Sequence, residues 1–162
     1  MKPDGQLERH TVFFPVFGKH RIVVHGNGII EVVQIVRGRI HVESRSADHA
    51  PITESSLLFY IVANWHSLLQ GQRLLVSLIR LPHLRLQTCE LVRGDAYSNN
   101  GENRIDFVLR AQKETKQGAL VATGLPAVLT FDVQTKHPVS FEGVATYVGG
   151  NSMTVWLQFT HA

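Results

Sequence analysis

Cysteine is almost missing: Cys89 stands alone in 162 residues. That excludes an intramolecular disulfide and a cysteine-rich zinc site, and it fits a reducing compartment. Long hydrophobic runs are missing too. No stretch approaches 18 consecutive apolar residues, so none reads as a membrane-spanning helix. The opening residues, MKPDGQLERH, lack the apolar core of a signal peptide. The expectation is a soluble cytoplasmic protein with no membrane partner. Charge is sparse, at 18% of residues against 44% apolar, which is the balance of a globular chain and not of a disordered one. A chain of this length makes one ordinary domain, read as residues 1–162, and can bury a real core. The formal net charge is +3, from scattered basic residues. This hints at an anionic partner, and the phosphates of an acyl-CoA or of a nucleic acid would both answer it.

Sharp catalytic signatures are absent as well. The nine histidines form no H-x-x-x-H or H-x-x-E-H pattern, so a metal site would need convergence in the fold, and no metal is assigned. The segment HGNG (25–28) has two glycines but lacks the third glycine and the following helix of a phosphate cradle, and reads as a hairpin turn. No G-x-S-x-G or Cys–His pairing appears. No cofactor is implied.

What the chain has is β-forming sequence. Before residue 50, TVFFPVF, HRIVV, GIIEVVQIV and RIHVES are rich in Val, Ile and Phe, and GKH, HGNG and RGR punctuate them as turns. After residue 80, period-2 alternation recurs in HLRLQTCELVRG, RIDFVLRAQ and MTVWLQF, which predicts strands with one buried face. GALVATGLPAVLTF is apolar on both faces and reads as a central strand, with a bulge or an edge segment at Gly124 and Pro126. RGDAYSNNGEN (93–103) reads as a polar hairpin loop.

One helix stands out in ESSLLFYIVANWHSLLQGQ, with Thr53 or Ser55 placed to cap it. At 100° per residue, Ser56, Tyr60, Asn64 and Ser67 share a narrow polar stripe, and apolar residues fill the rest. A helix apolar almost all round must be buried almost all round, and no second helix is at hand to cover it. The pattern predicts an α+β fold: a hotdog-like antiparallel sheet wrapped around one long buried central helix at residues 54–70. Phe59, Ile61, Val62, Trp65 and Leu68 should then be inside. A helix lying flat on an open sheet, its outer side covered by a dimer partner, is the plainer alternative.

The second half carries a family resemblance. Residues 84–131, with GALVATGLPAVLTF, and the hairpin GVATYVGGNSMTVWLQF (143–159) resemble the back half of hotdog acyl-CoA thioesterases, although here the hairpin follows the LVATG strand. The resemblance implies hydrolysis, or binding, of an acyl thioester such as an acyl-CoA, with hydrolysis carried by a carboxylate near the central helix. Glu54 and Asp48 are the candidates, with His49 as a proton carrier. The free N–H groups of the helix start would polarise the thioester oxygen, and burial would raise the carboxylate's pKa. Tyr60 and Asn64, on the polar stripe, would line the ligand slot. The resemblance also implies a homodimer or dimer of dimers with paired sheet edges. Each residue has a plainer role: Glu54 at the positive helix end, Asp48 in a solvated loop, the stripe bonded to neighbouring strands. The alternative function is a non-enzymatic β-rich module that binds nucleic acid or a protein partner through a strand face, with Arg93 and Tyr97 in one loop as the feature nearest to a stacking platform.

Overall fold

A computed structural model describes residues 9–14, 18–25, 27–80, 84–118, 120–146 and 152–159. Among them are eleven strands and two short helices. The chain divides into two compact units. One contains the residues up to Asn64 together with Leu75–Thr88, and the other contains Trp65–Leu74 and the residues from Cys89 on.

In the first unit, β1 (Arg9–Phe14), β2 (Gly18–Val24), β3 (Ile29–Val36) and β4 (Arg39–Ser46) form an antiparallel sheet in that order. The four β segments expected before residue 50 are all present. Gly18, Lys19 and His20 lie within β2 and do not form a turn. Period 2 decides which face is inside: Ile22, Val24, Ile30 and Val32 are buried and pack with Ile79 and Leu84. Arg37 and Gly38 make the β3–β4 turn with φ of 49° and 75°; two residues with positive φ match the twist of the flanking strands. Glu43 Oε2 accepts from the Leu84 N–H at 3.2 Å, and Arg45 Nε donates to the Leu84 carbonyl at 3.2 Å. The short β5 (Ala50–Ile52) pairs in parallel with β6 (Leu74–Arg80). Between them in sequence comes α1 (Glu54–Ala63).

The helical segment corrects the α+β, hotdog-like expectation. There is no single helix over 54–70. Instead α1 ends at Asn64, and a separate five-residue α2 (Trp65–Leu69) follows in the second unit. Asn64 leaves helical geometry at φ −105° and turns its amide Nδ2 back onto the Tyr60 carbonyl at 2.8 Å. This break resets the helical phase, so apolar residues on its two sides serve two different cores. Of the five residues expected inside, Ile61, Trp65 and Leu68 are buried, but Phe59 is 60% exposed and Val62 40% exposed. A helix with such a solvated face is not wrapped by a sheet, and this overturns the predicted architecture.

The second unit is an antiparallel meander. β7 (Arg85–Asn99) leaves the first unit after Thr88 and is followed by β8 (Glu102–Glu114), β9 (Leu120–Asp132), β10 (Pro138–Thr146) and β11 (Ser152–Gln158), neighbours in that order. β9 is interior, and its register against β8 jumps between Ala127 and Thr123, which puts the irregularity at Gly124 and Pro126. Segment 93–103 is mostly strand and not loop; the turn is only Asn100–Gly101, both with positive φ. Part of the family-like hairpin, residues 147–151, lies outside the described residues. Inside, Trp65, Phe107 and Phe131 meet edge to face, with centroids 5.1, 5.7 and 5.6 Å apart. This is the favoured aromatic geometry. Leu91, Ile105 and Leu129 complete the core. Among the described residues, no helix is long and apolar enough to cross a membrane.

Candidate functional site

The residues singled out in the sequence lie in the first unit, around the start of α1. Thr53 forms a complete capping box: its N–H donates to Ser56 Oγ at 2.8 Å, and the Ser56 N–H donates to Thr53 Oγ1 at 3.2 Å. The third-turn-residue N–H expected to polarise a thioester is therefore already satisfied. Glu54 opens the helix with its carboxylate on Arg80 Nη1 at 2.6 Å, and its side chain is 68% exposed. It is not among apolar neighbours, so the desolvation expected of it is not there. Asp48 is exposed, while His49 is half-buried and donates its backbone N–H to Ser77 Oγ at 3.3 Å. The extended residues 50–52 then separate His49 from Thr53 by roughly 13 Å of strand rise, so the fold does not gather Asp48, His49 and Glu54 around one point. Tyr60 and Asn64 do meet, but by the amide-to-carbonyl bond that ends α1. His66 is exposed and bonds to Gln70 at 2.9 Å. Among the described residues, no three His, Cys, Asp or Glu side chains converge as a metal would require.

A different site is built in the second unit. Gly71, Arg73, Val92, Arg93 and Arg110 line an open cleft of about 240 Å³. Its construction starts at α2. This helix ends in Gly71 at φ 81°, with the Gly71 N–H on the Leu68 carbonyl at 3.0 Å and the Gln72 N–H on the Ser67 carbonyl at 3.1 Å. Only glycine takes this conformation without strain, and a Cβ built there meets nothing within 4 Å. One wall of the cleft is bare backbone for that reason. Arg93, from β7, donates Nη1 to the Leu69 carbonyl at 3.2 Å. A cation suits the negative end of a helix, and a guanidinium has further donors to offer once one is used.

The other walls come from alternation. Cys89 and Leu91 turn into the core, so Glu90 and Val92 turn outward. Val92 supplies an apolar floor. Glu90 lies opposite Arg110 in the β7–β8 register and accepts from Arg73 Nη1 at 3.3 Å. Arg73, Arg93 and Arg110 thus line the cleft, and the Glu90 carboxylate lies on Arg73. Among the described residues neither Arg93 nor Arg110 forms an ion pair, and Arg93 is held by the Leu69 carbonyl. Planar guanidinium forks match the paired oxygens of phosphate and carboxylate, and the cleft can therefore hold a compact anion. The basic surface does not continue along the β7–β8 hairpin, because Arg104 is taken up by Glu102 and Asp132.

Of these residues, sequence reasoning considered only Arg93. The alternation of HLRLQTCELVRG predicts Val92 on the buried face with Leu84, Leu86 and Thr88; the structure instead buries Cys89 and Leu91, so Val92 lies on the other face. The approach of Arg73 and Arg110 was not legible either, because it depends on a register broken between Arg93 and Ala96. No protein-family model matches the chain, and neither a curated protein nor a solved structure does.

Proposed function

We propose that the protein is a β-rich binding module for a compact phosphorylated ligand, and that the cleft between Arg73, Arg93 and Arg110 receives the phosphates. One observation carries this: three arginines, Arg73, Arg93 and Arg110, line one cleft in which no acidic residue takes part, the nearest paired carboxylate being Glu90 on Arg73. A volume of about 240 Å³ is below the range of a site that encloses a whole drug-sized molecule. It suits a diphosphate whose organic remainder lies outside. A nucleotide diphosphate of the coenzyme A type has this chemistry, so an acyl-CoA remains the ligand of first choice. An extended nucleic acid would need a longer basic track than one that stops at Arg104. The protein works in the cytoplasm on this reading, a setting in keeping with a single, buried cysteine, Cys89.

Calorimetric titration with coenzyme A, ADP, inorganic pyrophosphate and a single-stranded oligonucleotide tests the reading. Coenzyme A and pyrophosphate should both bind, and Arg110→Gln should weaken both about tenfold or more, as expected when a charge-assisted hydrogen bond is lost. Arg110 is the informative position because Arg93 also holds the end of α2. Steeply salt-dependent binding of the oligonucleotide alone would replace this reading with the nucleic-acid one. Release of free thiol from acyl-CoAs, abolished by Glu54→Gln, would add hydrolysis to binding.

A further inference from the structure

The first unit's sheet ends in β4, and every residue of that strand except Glu43 is exposed. Its backbone polarity can be worked out. The Arg37–Gly38 turn makes Val36 and Arg39 the closing pair of a two-residue hairpin, a hydrogen-bonded pair. At the other end the Ala47 N–H donates to the Gly28 carbonyl at 3.0 Å. Both ends agree: the odd-numbered residues of β4 bond to β3. The N–H and C=O groups of Ile40, Val42, Ser44 and Ser46 therefore point at the open edge. Among the described residues no strand lies beyond it. The edge also carries two large apolar side chains in the open, Ile40 at 68% and Val42 at 57% exposure. They continue the row begun by their β3 partners Ile35 and Val33. An unpaired edge of this kind is a template for another strand.

We infer that the strand which fits it is β4 of a second copy, paired antiparallel about a two-fold axis at His41. A two-fold axis perpendicular to the sheet keeps each face continuous, so only registers centred on a residue are possible. Centred on Glu43, the pairing sets Glu43 against its own copy. Centred on Val42, it sets Arg39 against Arg45 and Ile40 against Ser44. Centred on His41, it sets Ile40 against the second copy's Val42 on one face and Arg39 against the second copy's Glu43 on the other. Each pair occurs twice by symmetry. Ile40 and Val42 are also the residues whose backbone groups point outward, so they form the hydrogen-bonded pairs, and the Arg39–Glu43 pairs take the closer, non-hydrogen-bonded positions. Charges on a free edge deter foreign strands. Two registers bring opposite charges together: the one centred on Ser44 sets Glu43 against Arg45 but leaves Val42 against Ser46, and only the one centred on His41 joins opposite charges on one face to an Ile40–Val42 pair on the other. This inference does not rest on the arginine cleft, which belongs to the second unit.

Crosslinking reads the register directly. In His41→Cys the two thiols face each other across a non-hydrogen-bonded pair, with Cα atoms about 4.5 Å apart, within disulfide range. Mild oxidation should give a crosslinked dimer, whereas Ser46→Cys on the same edge should not crosslink. Buried Cys89 stays out of the reaction. In sedimentation equilibrium the parent should be a dimer at micromolar concentration. Arg39→Glu should weaken it about tenfold or more, because two attractive cross-strand pairs become repulsive, and Arg39→Glu with Glu43→Arg should restore it. A monomeric parent, a dimer indifferent to Arg39→Glu, or crosslinking through Val42→Cys in preference to His41→Cys would overturn the proposal.

Discussion

Asp132 shows how much one side chain can organise. Its Oδ1 accepts from the N–H groups of Gln134 and Thr135 and from Thr135 Oγ1, while Oδ2 faces Arg104 at 3.3 Å. The hydrogen bonds from Thr135 come first among the causes that hold its pKa below the ordinary 3.8, and the Arg104 charge adds to them. A carboxyl depressed in the folded state stabilises the fold fully while it is ionised in both states. That contribution is lost as pH falls below 3.8 and through the folded value. Thermal melting in steps from about pH 5 downward should show the parent losing stability more steeply than Asp132→Asn. Parallel curves would mean that the cage around Asp132 contributes nothing. Glu54 makes the contrast. Both carboxylates pair with an arginine, but Glu54 has its side chain in water, where such a pair contributes little. Nothing in the sequence separates the two, because the difference lies in the backbone donors that the turn after β9 folds around Asp132.

At the scale of elements, most strands and the capped start of the helix were legible, and the helix's end was not. β8 shows its inside and outside in the order of its residues, with Ile105, Phe107 and Leu109 buried on one face, because a strand's period of two assigns faces without reference to a partner. The helical segment is apolar in composition, and composition does not say how many bodies the residues pack against. Asn64 is the deciding residue: by ending α1 it commits Leu57 and Ile61 to one unit and Trp65 and Leu68 to the other. The wrapped-helix expectation treated Phe59 and Trp65 alike, and the structure makes them opposite. Trp65→Ala removes one corner of the ring triangle with Phe107 and Phe131 and should cost about 3–5 kcal/mol. Phe59→Ala, at a position 60% exposed, should cost less than about 1 kcal/mol. Urea titration monitored by circular dichroism compares the two midpoints at matched slope. Equal losses would restore a buried role for Phe59.

At the scale of the whole molecule, the two units divide the chemistry that the sequence brought together. The expected catalytic residues Asp48, His49 and Glu54 belong to one unit, and the arginine cleft belongs to the other. The hint that the proposed function builds on is the coarsest one, a small positive net charge. It becomes specific only because α2 ends in Gly71 beside β7 and because β7 and β8 set Glu90 against Arg110. A site assembled from residues 71 to 110 by a turn, a helix end and an interrupted register leaves no motif to read. The central claim is that phosphate is held there. The most direct test is to add inorganic pyrophosphate to the isotopically labelled protein and follow backbone amide and arginine Nε resonances by NMR. Shifts should concentrate at Gly71, Arg73, Val92, Arg93 and Arg110 and disappear in Arg110→Gln. Saturable shifts centred on Asp48, His49 and Glu54, or none at all, would contradict it.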